Sequence, residues 1–349
     1  MRTFVLSAFV ALLAGGVKLE TTYSTDKAVE VAIVFKQSAE TSMSMERDGE
    51  PVEGMGGGSA SSATEVAETY VDRYLEVADG KPQKVRRQWT DVSGKTSMSM
   101  GDNSNEREIE SPFKGLVVEI DAEGEAKVVE GSEPEGEEAL KGHKPALCLD
   151  ALLPAKEVAV DDAWDLDKDA IVEALHQDVL AKLMPPPARP EGGEGRGQRG
   201  GGGGRGGMRG GGGRRGSRLN ELDWTGEAKV LSIDEEVDGV ACTVVELKLE
   251  ASGSRELPPM GRPRDGALAA PFENTQTYSY ELEGKLHWDN AAKRPLKLEL
   301  KGKGSTESVR EMTREESTMR IESTEESEIE YSVVVSAAKA EAKEDAKQE

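Results

Sequence analysis

The chain alternates. Val29, Val31, Ile33 and Phe35 are apolar, and Glu30, Ala32, Val34 and Lys36 separate them. Successive side chains of an extended strand point to opposite faces, so a period of two predicts a strand with one buried face. Comparable stretches recur in pairs around short turns. Residues 70–77 and 84–92 flank Asp79-Gly80, and 116–120 and 126–129 flank Asp121 to Gly124. Residues 229–234 and 240–249 flank Asp238-Gly239, and 275–288 and 295–301 flank Asp289-Asn290. Asp-Gly favours tight hairpins because both residues tolerate the positive φ such turns require. A last long strand is expected over 317–335. The pattern predicts a mainly β (α+β) protein with a large curved antiparallel sheet and one or two helices. The alternative is two β-rich domains, 17–184 and 219–336, divided by an insert.

Helix signals are few. Asp167 suits an N-cap, its carboxylate accepting from free first-turn amides, for a helix running to about Met184. Val172, Leu175, Val179 and Leu183 fall on one face, and Pro185-Pro186-Pro187 stops the run. A second, shorter helix is expected over 137–149. Residues 185–218 hold sixteen Gly and eight Arg, and no Val, Leu, Ile or aromatic residue. Such a segment buries too little apolar surface to offset its chain entropy, so a disordered insert is expected. The tail 337–349 is rich in Ala, Lys and Glu, has no apolar face, and is expected to fray.

Residues 1–16, MRTFVLSAFVALLAGG, place Arg2 before an apolar run and small residues at Ala14 and Gly16. This is the layout of a secretory signal peptide, with an apolar core too short to span a membrane stably. No cysteine follows to take a lipid anchor. The expectation is an extracytoplasmic protein, periplasmic or secreted, with no transmembrane span after cleavage. Formal net charge is −23, and residues 189–218 run against it with eight Arg and two Glu. The acidic remainder disfavours nucleic acid and anionic lipid and favours cations and basic partners. Aromatics make up only 4% of the chain, so the core must rest on Val, Leu, Ile, Ala and Met.

Two stretches carry a resemblance. LLPAKEVAVDDAW, from Leu152 to Trp164, has an apolar pair and Pro, a Val-x-Val strand, and then Asp-Asp-x-Trp. YELEGKLHWDNAAKRPLKLELKGK, from Tyr280 to Lys303, runs strand, Gly, short strand, Asp turn, Arg-Pro, strand. Both resemble elements of uncharacterised exported β-rich bacterial proteins, with Asp161 standing where that pattern has Gly. The resemblance implies export and a β-rich fold; no activity attaches to that group.

Candidate chemistry is sparse. The Arg/Gly insert resembles RGG segments, and Arg196, Arg199, Arg205, Arg209, Arg214 and Arg215 are its candidate polyanion contacts. It lacks the interleaved aromatics of such tracts, which favours a flexible linker. TSMSM occurs twice, and on neighbouring strands Met43, Met45, Met98 and Met100 would converge as soft Cu(I) donors. The simpler reading is that these flexible side chains fill an irregular core or line a cavity. Cys148 and Cys242 form a possible disulfide, or are ordinary core thiols. Asp165, Asp167 and Asp169 mimic the start of a calcium loop, but Ala170 and His176 stand where that loop needs Gly and Glu. No nucleophile elbow is present. The reading is an exported, acidic, non-enzymatic protein without a cofactor, binding an apolar small molecule or an envelope protein. Alternatives are polyanion binding through the insert and Cu(I) binding through the Met pairs.

Overall fold

The computed structural model describes residues 16–52, 58–132, 134, 137–175, 222–256, 272–314 and 317–338. Residues 1–15 of the expected leader, the Arg/Gly insert, the helix beyond Leu175 and the tail from 339 lie outside the described residues. The strands are β1 (Ala28–Arg47), β2 (Glu50–Pro51), β3 (Ser59–Ala78), β4 (Lys81–Met100), β5 (Asn103–Glu110), β6 (Val117–Asp121) and β7 (Ala126–Glu130). They continue as β8 (Ala163–Leu166), β9 (Trp224–Val237), β10 (Val240–Glu256), β11 (Phe272–Asp289), β12 (Arg294–Arg314) and β13 (Ser317–Ala337). One helix among the described residues, α1 (Lys168–Leu175), follows β8.

All thirteen strands belong to one open antiparallel sheet, ordered β7-β6-β4-β3-β1-β13-β12-β11-β10-β9-β8, with β2 on β1 and β5 on β4. The mainly β, large-sheet expectation is met, and the halves on either side of the insert are joined directly, β1 pairing with β13 from Val29↔Ala337 to Arg47↔Met319. The Asp-Gly hairpins form as the sequence indicates: Asp79 and Gly80 take φ of 50° and 73°, Asp238 and Gly239 take 51° and 81°.

β7 and β8 lie at opposite edges of this sheet. The connection between them, residues 131–162, therefore has to cross one face, and it does so as the cover of the core. Ala146, Leu147, Leu149, Leu152 and Val158 of the cover share one hydrophobic cluster with Val31, Ile33, Trp89, Trp224, Leu286 and Val333 of the sheet. The helix expected over 137–149 does not form; short 3-10 turns stand at Glu137–Leu140 and Leu149–Leu152 instead. A chain that must traverse a wide sheet gains reach from extended and irregular backbone, since a helix advances only about 1.5 Å per residue. The Asp167 cap does form, its Oδ1 accepting from the Ala170 amide at 2.9 Å. α1 buries Ile171, Ala174 and Leu175, with Val172 half-buried beside them.

The two stretches that carry the family resemblance are local devices of this fold. The Trp164 indole donates to the Leu152 carbonyl at 3.0 Å, closing LLPAKEVAVDDAW on itself. Asp161 sits at φ 71°, left-handed backbone that glycine enters freely. In the second stretch Asp289 Oδ1 accepts from Ala291 and Ala292 at 2.9 and 2.8 Å, building the turn. Gly302 of β12 lies against β11 so closely that a Cβ there would strike the Glu281 carbonyl oxygen. Gly302→Ala should therefore lower unfolding free energy by roughly 2 kcal/mol in denaturant melts, because backbone must move to make room. Gly58→Ala, with nothing within 4 Å, is the control and should be near neutral.

Candidate functional site

Each long strand presents two chemically different faces. On the covered face, the level of Ile33 reads Val245, Leu286, Leu298, Val333, Ile33, Glu68 and Val92 from β10 to β4. Farther along the same face the residues become mostly polar: Arg255, Gln276, Ser308 and Ser323 stand side by side with Met43 at one level. Arg255 donates to Gln276 Oε1 at 2.9 and 2.7 Å, and the Ser308 and Ser323 hydroxyls are 2.9 Å apart. Thus one face runs from a sealed apolar core to a polar, methionine-bearing end.

The four methionines of the TSMSM repeats lie at that end on this one face. They do not come from neighbouring strands: β3 stands between β1 and β4, so the two pairs are separated by two strand spacings, roughly 10 Å. The convergence needed for a four-thioether copper site is missing, because strand order rather than repeat identity decides which residues meet. Met45 is buried, Met43 half-buried, and Met98 and Met100 are 49% and 56% exposed. Met312 and Met319, which sequence reasoning passed over, are direct partners on the same face. Their signal was only apolarity at alternate positions of two strands.

Within the apolar half sits a buried ionic cluster. Arg87 donates from Nε and Nη2 to the two oxygens of Asp72 at 2.8 and 2.7 Å, and its guanidinium lies 4.1 Å over the Tyr70 ring. Burial opposes the guanidinium's charge, but the adjacent Asp72 carboxylate offsets that and holds Arg87 above the ordinary arginine range. Trp89 donates its indole N–H to Glu68 Oε2 at 3.3 Å and packs edge-on against Phe113 and His143, the latter on the cover.

The opposite face is charged. At the level of Lys36, direct cross-strand partners run Glu227, Lys248, Glu283, Lys301, Glu330, Lys36, Glu65, Lys95 and Glu108, from β9 to β5. Acid and base alternate over nine strands. Lys36 meets Glu65 at 2.9 Å and Lys301 meets Glu330 at 2.8 Å, while Lys95 reaches diagonally to Glu106 at 2.9 Å. Hydrogen bonding and charge from Lys301 hold the Glu330 carboxyl below its ordinary range. Each pair is solvated and worth little alone; together they reward one register of the strands.

Two adjoining hollows lie over this face, of about 730 and 860 Å³. Lys95 of β4 and Lys301 of β12 both line the first. They stand four strand spacings apart, roughly 19 Å in a flat sheet, so the sheet curves around its charged side here. The first hollow carries Lys36, Lys95, Lys301 and Lys303 against Glu65, Glu106, Glu328 and Glu330; the second carries Lys303 against Glu40, Glu281, Glu326 and Glu328, with serine hydroxyls between. The described residues that line the concave surface at this level include no Val, Leu or Met. Alternation sends those residues to the other face, where the cover fills the space above them.

Cys148 and Cys242 are thiols and form no disulfide. Their surroundings differ: burial first, then Glu173 and Asp150, push the Cys148 thiol up to about 12. Burial, then Asp289 and Asp238, push Cys242 up to about 11. Neither is a thiolate at neutral pH, so neither suits nucleophilic work. Asp165, Asp167 and Asp169 do not converge, and among the described residues no group of three or more His, Cys, Asp and Glu is placed to hold a metal. Arg196, Arg199, Arg205, Arg209, Arg214 and Arg215 lie outside the described residues. No helix among the described residues is long and apolar enough to cross a membrane.

The charge ladder makes a direct prediction. Lys301→Glu places a carboxylate between Glu283 and Glu330, and like charges directly opposite are destabilising. The melting midpoint should fall at low salt, and the deficit should shrink as salt screens it. Lys301→Gln should lose less than Lys301→Glu at low salt.

No family model and no curated protein matches the chain. Among solved structures, the chain is similar to one described as lipid–protein interactions in lipovitellin, at 8% identity and a TM-score of 0.23, over 88% of this chain and 26% of that one. The chain thus spans about a quarter of that protein's length.

Proposed function

We propose that this is an exported, non-enzymatic binding protein whose ligand is an apolar small molecule held at the methionine-bearing end of the covered face. The observation that carries this reading is the exposure of Met98 and Met100 on the face that elsewhere forms the core. Met43, Met45, Met312 and Met319 extend that surface onto β1, β12 and β13. Unbranched thioether side chains repack around apolar shapes at little cost, which suits a site that accepts varied molecules. Tyr278 and Tyr280 add rings on the same face, lying against Gly253 and Gly304 of neighbouring strands. Export rests on the leader-like residues 1–16. The hollows of the charged face do not favour a polyanion, since carboxylates equal or outnumber lysines in both.

The test is native mass spectrometry of protein purified from its own compartment, joined to displacement of a fluorescent fatty-acid analogue. Wild type should retain an apolar adduct and bind the analogue. The double variant Met98→Lys, Met100→Lys should lose both while its melting midpoint stays within a few degrees, because both side chains are already half in solvent. Equal binding by the double variant would move the ligand elsewhere, and a wild type that binds neither would end the apolar-ligand reading.

A further inference from the structure

Glu68 occupies a position that chemistry ordinarily denies to a carboxylate. It is the one charged residue in the row through Ile33, between Ile33 on β1 and Val92 on β4, and is 3% exposed. The guanidinium nearest to it, Arg87, is committed to Asp72 through both Nε and Nη2. That bidentate pair is neutral as a unit, so an ionised Glu68 would leave a net negative charge in the core. Its hydrogen bond from Trp89 is long at 3.3 Å. The Tyr331 hydroxyl of β13, close enough for Glu68's charge to disfavour phenolate, is buried with no hydrogen-bond partner among the described residues. Stripping a carboxylate of water without full compensation costs several kcal/mol, and such a group takes a proton instead.

We propose that Glu68 is a proton-binding site in the core: the folded protein holds a neutral carboxyl there, and release of that proton weakens the seam between sheet and cover. The link to the cover runs through Trp89, which touches Glu68 on one side and His143 of the cover on the other, with ring centroids 5.5 Å apart. The ionisable groups facing Glu68 are Asp72 and Tyr70 on β3, Arg87 on β4 and Tyr331 on β13, with His143 beyond Trp89. Burial lifts both tyrosines above the ordinary phenol range and Arg87 stays charged, so neither tyrosine nor Arg87 loses its proton near neutrality. Burial raises the Asp72 carboxyl against the opposing charge and hydrogen bonds of Arg87. Burial first, opposed by Arg87 and the Trp89 hydrogen bond, pushes Glu68 up to about 7 from 4.5.

The sign follows. Between the unfolded value of 4.5 and the folded value of about 7 the native state binds the extra proton, so stability falls as pH rises through that window. Glu68→Gln keeps the shape and an acceptor while removing the titration. Its melting midpoint should match wild type at about pH 5 and exceed it by several degrees at about pH 8. Parallel profiles for the two proteins would overturn the proposal. Should the variant fail to fold, the infrared spectrum of wild type decides. A protonated-carboxyl band present at about pH 6 and lost by about pH 8 supports the site, and its absence at about pH 6 ends it.

Discussion

The crossing of the sheet by residues 131–162 is the constraint on which the rest depends. A chain that leaves β7 at one edge and must enter β8 at the other has no route that avoids a face. Whatever face it takes is shut off from water, and whatever it carries must be apolar there. Leu147, Leu149, Leu152 and Val158 meet that demand, and the sheet answers with Trp89, Trp224, Leu286 and Val333. Residues 17–23 close the rim: Val17 bridges Val158, Thr22 donates to the Lys293 carbonyl at 2.8 Å, and Tyr23 packs edge-on against Tyr74. The strands are longer than the cover is wide. Where the cover stops, the same face continues with Ser, Thr, Gln and Met, and Met98 and Met100 stand exposed there.

The alternation that builds the core also builds its opposite. With every second side chain sent inward, the others make a ladder of alternating Lys and Glu across nine strands. A shift of one residue would put Lys36 or Glu330 into the core, and a shift of two between β1 and β3 would set Lys36 against Ala63 or Ala67 in place of Glu65. Long strands with polar ends are otherwise weakly held in register, so the ladder supplies specificity more than strength. The buried Asp72–Arg87 pair has a similar standing. Desolvation consumes most of what the pair gains, while loss of either partner would leave a buried charge uncompensated.

Much of the architecture was legible because it is local. Hairpins at Asp79-Gly80 and Asp238-Gly239, the Asp167 cap and the strands themselves depend on residues a few positions apart. Period and turn chemistry report on these directly. The core face of β1 was readable from Val29 to Phe35 for the same reason. The helix over 137–149 was misread because its composition tolerates a helix, whereas its task of spanning the sheet does not. The paired TSMSM repeats were read as one face of a strand, and their convergence hung on the two strands being neighbours, a condition that the intervening β3 does not meet.

Sequence alone thus determined the long strands and their Asp-Gly hairpins, the two-faced character of the strands and the acidity of the chain. Those properties follow from backbone geometry and from counts of charges. Only the tertiary structure decided which strands adjoin, and with that the Lys–Glu ladder, the isolation of Glu68 from a free cation, the separation of Cys148 from Cys242, and the gathering of six methionines at one end. Each of these joins residues distant in the chain, and their meeting depends on strand order and on the single segment that crosses the sheet. No local period encodes either one.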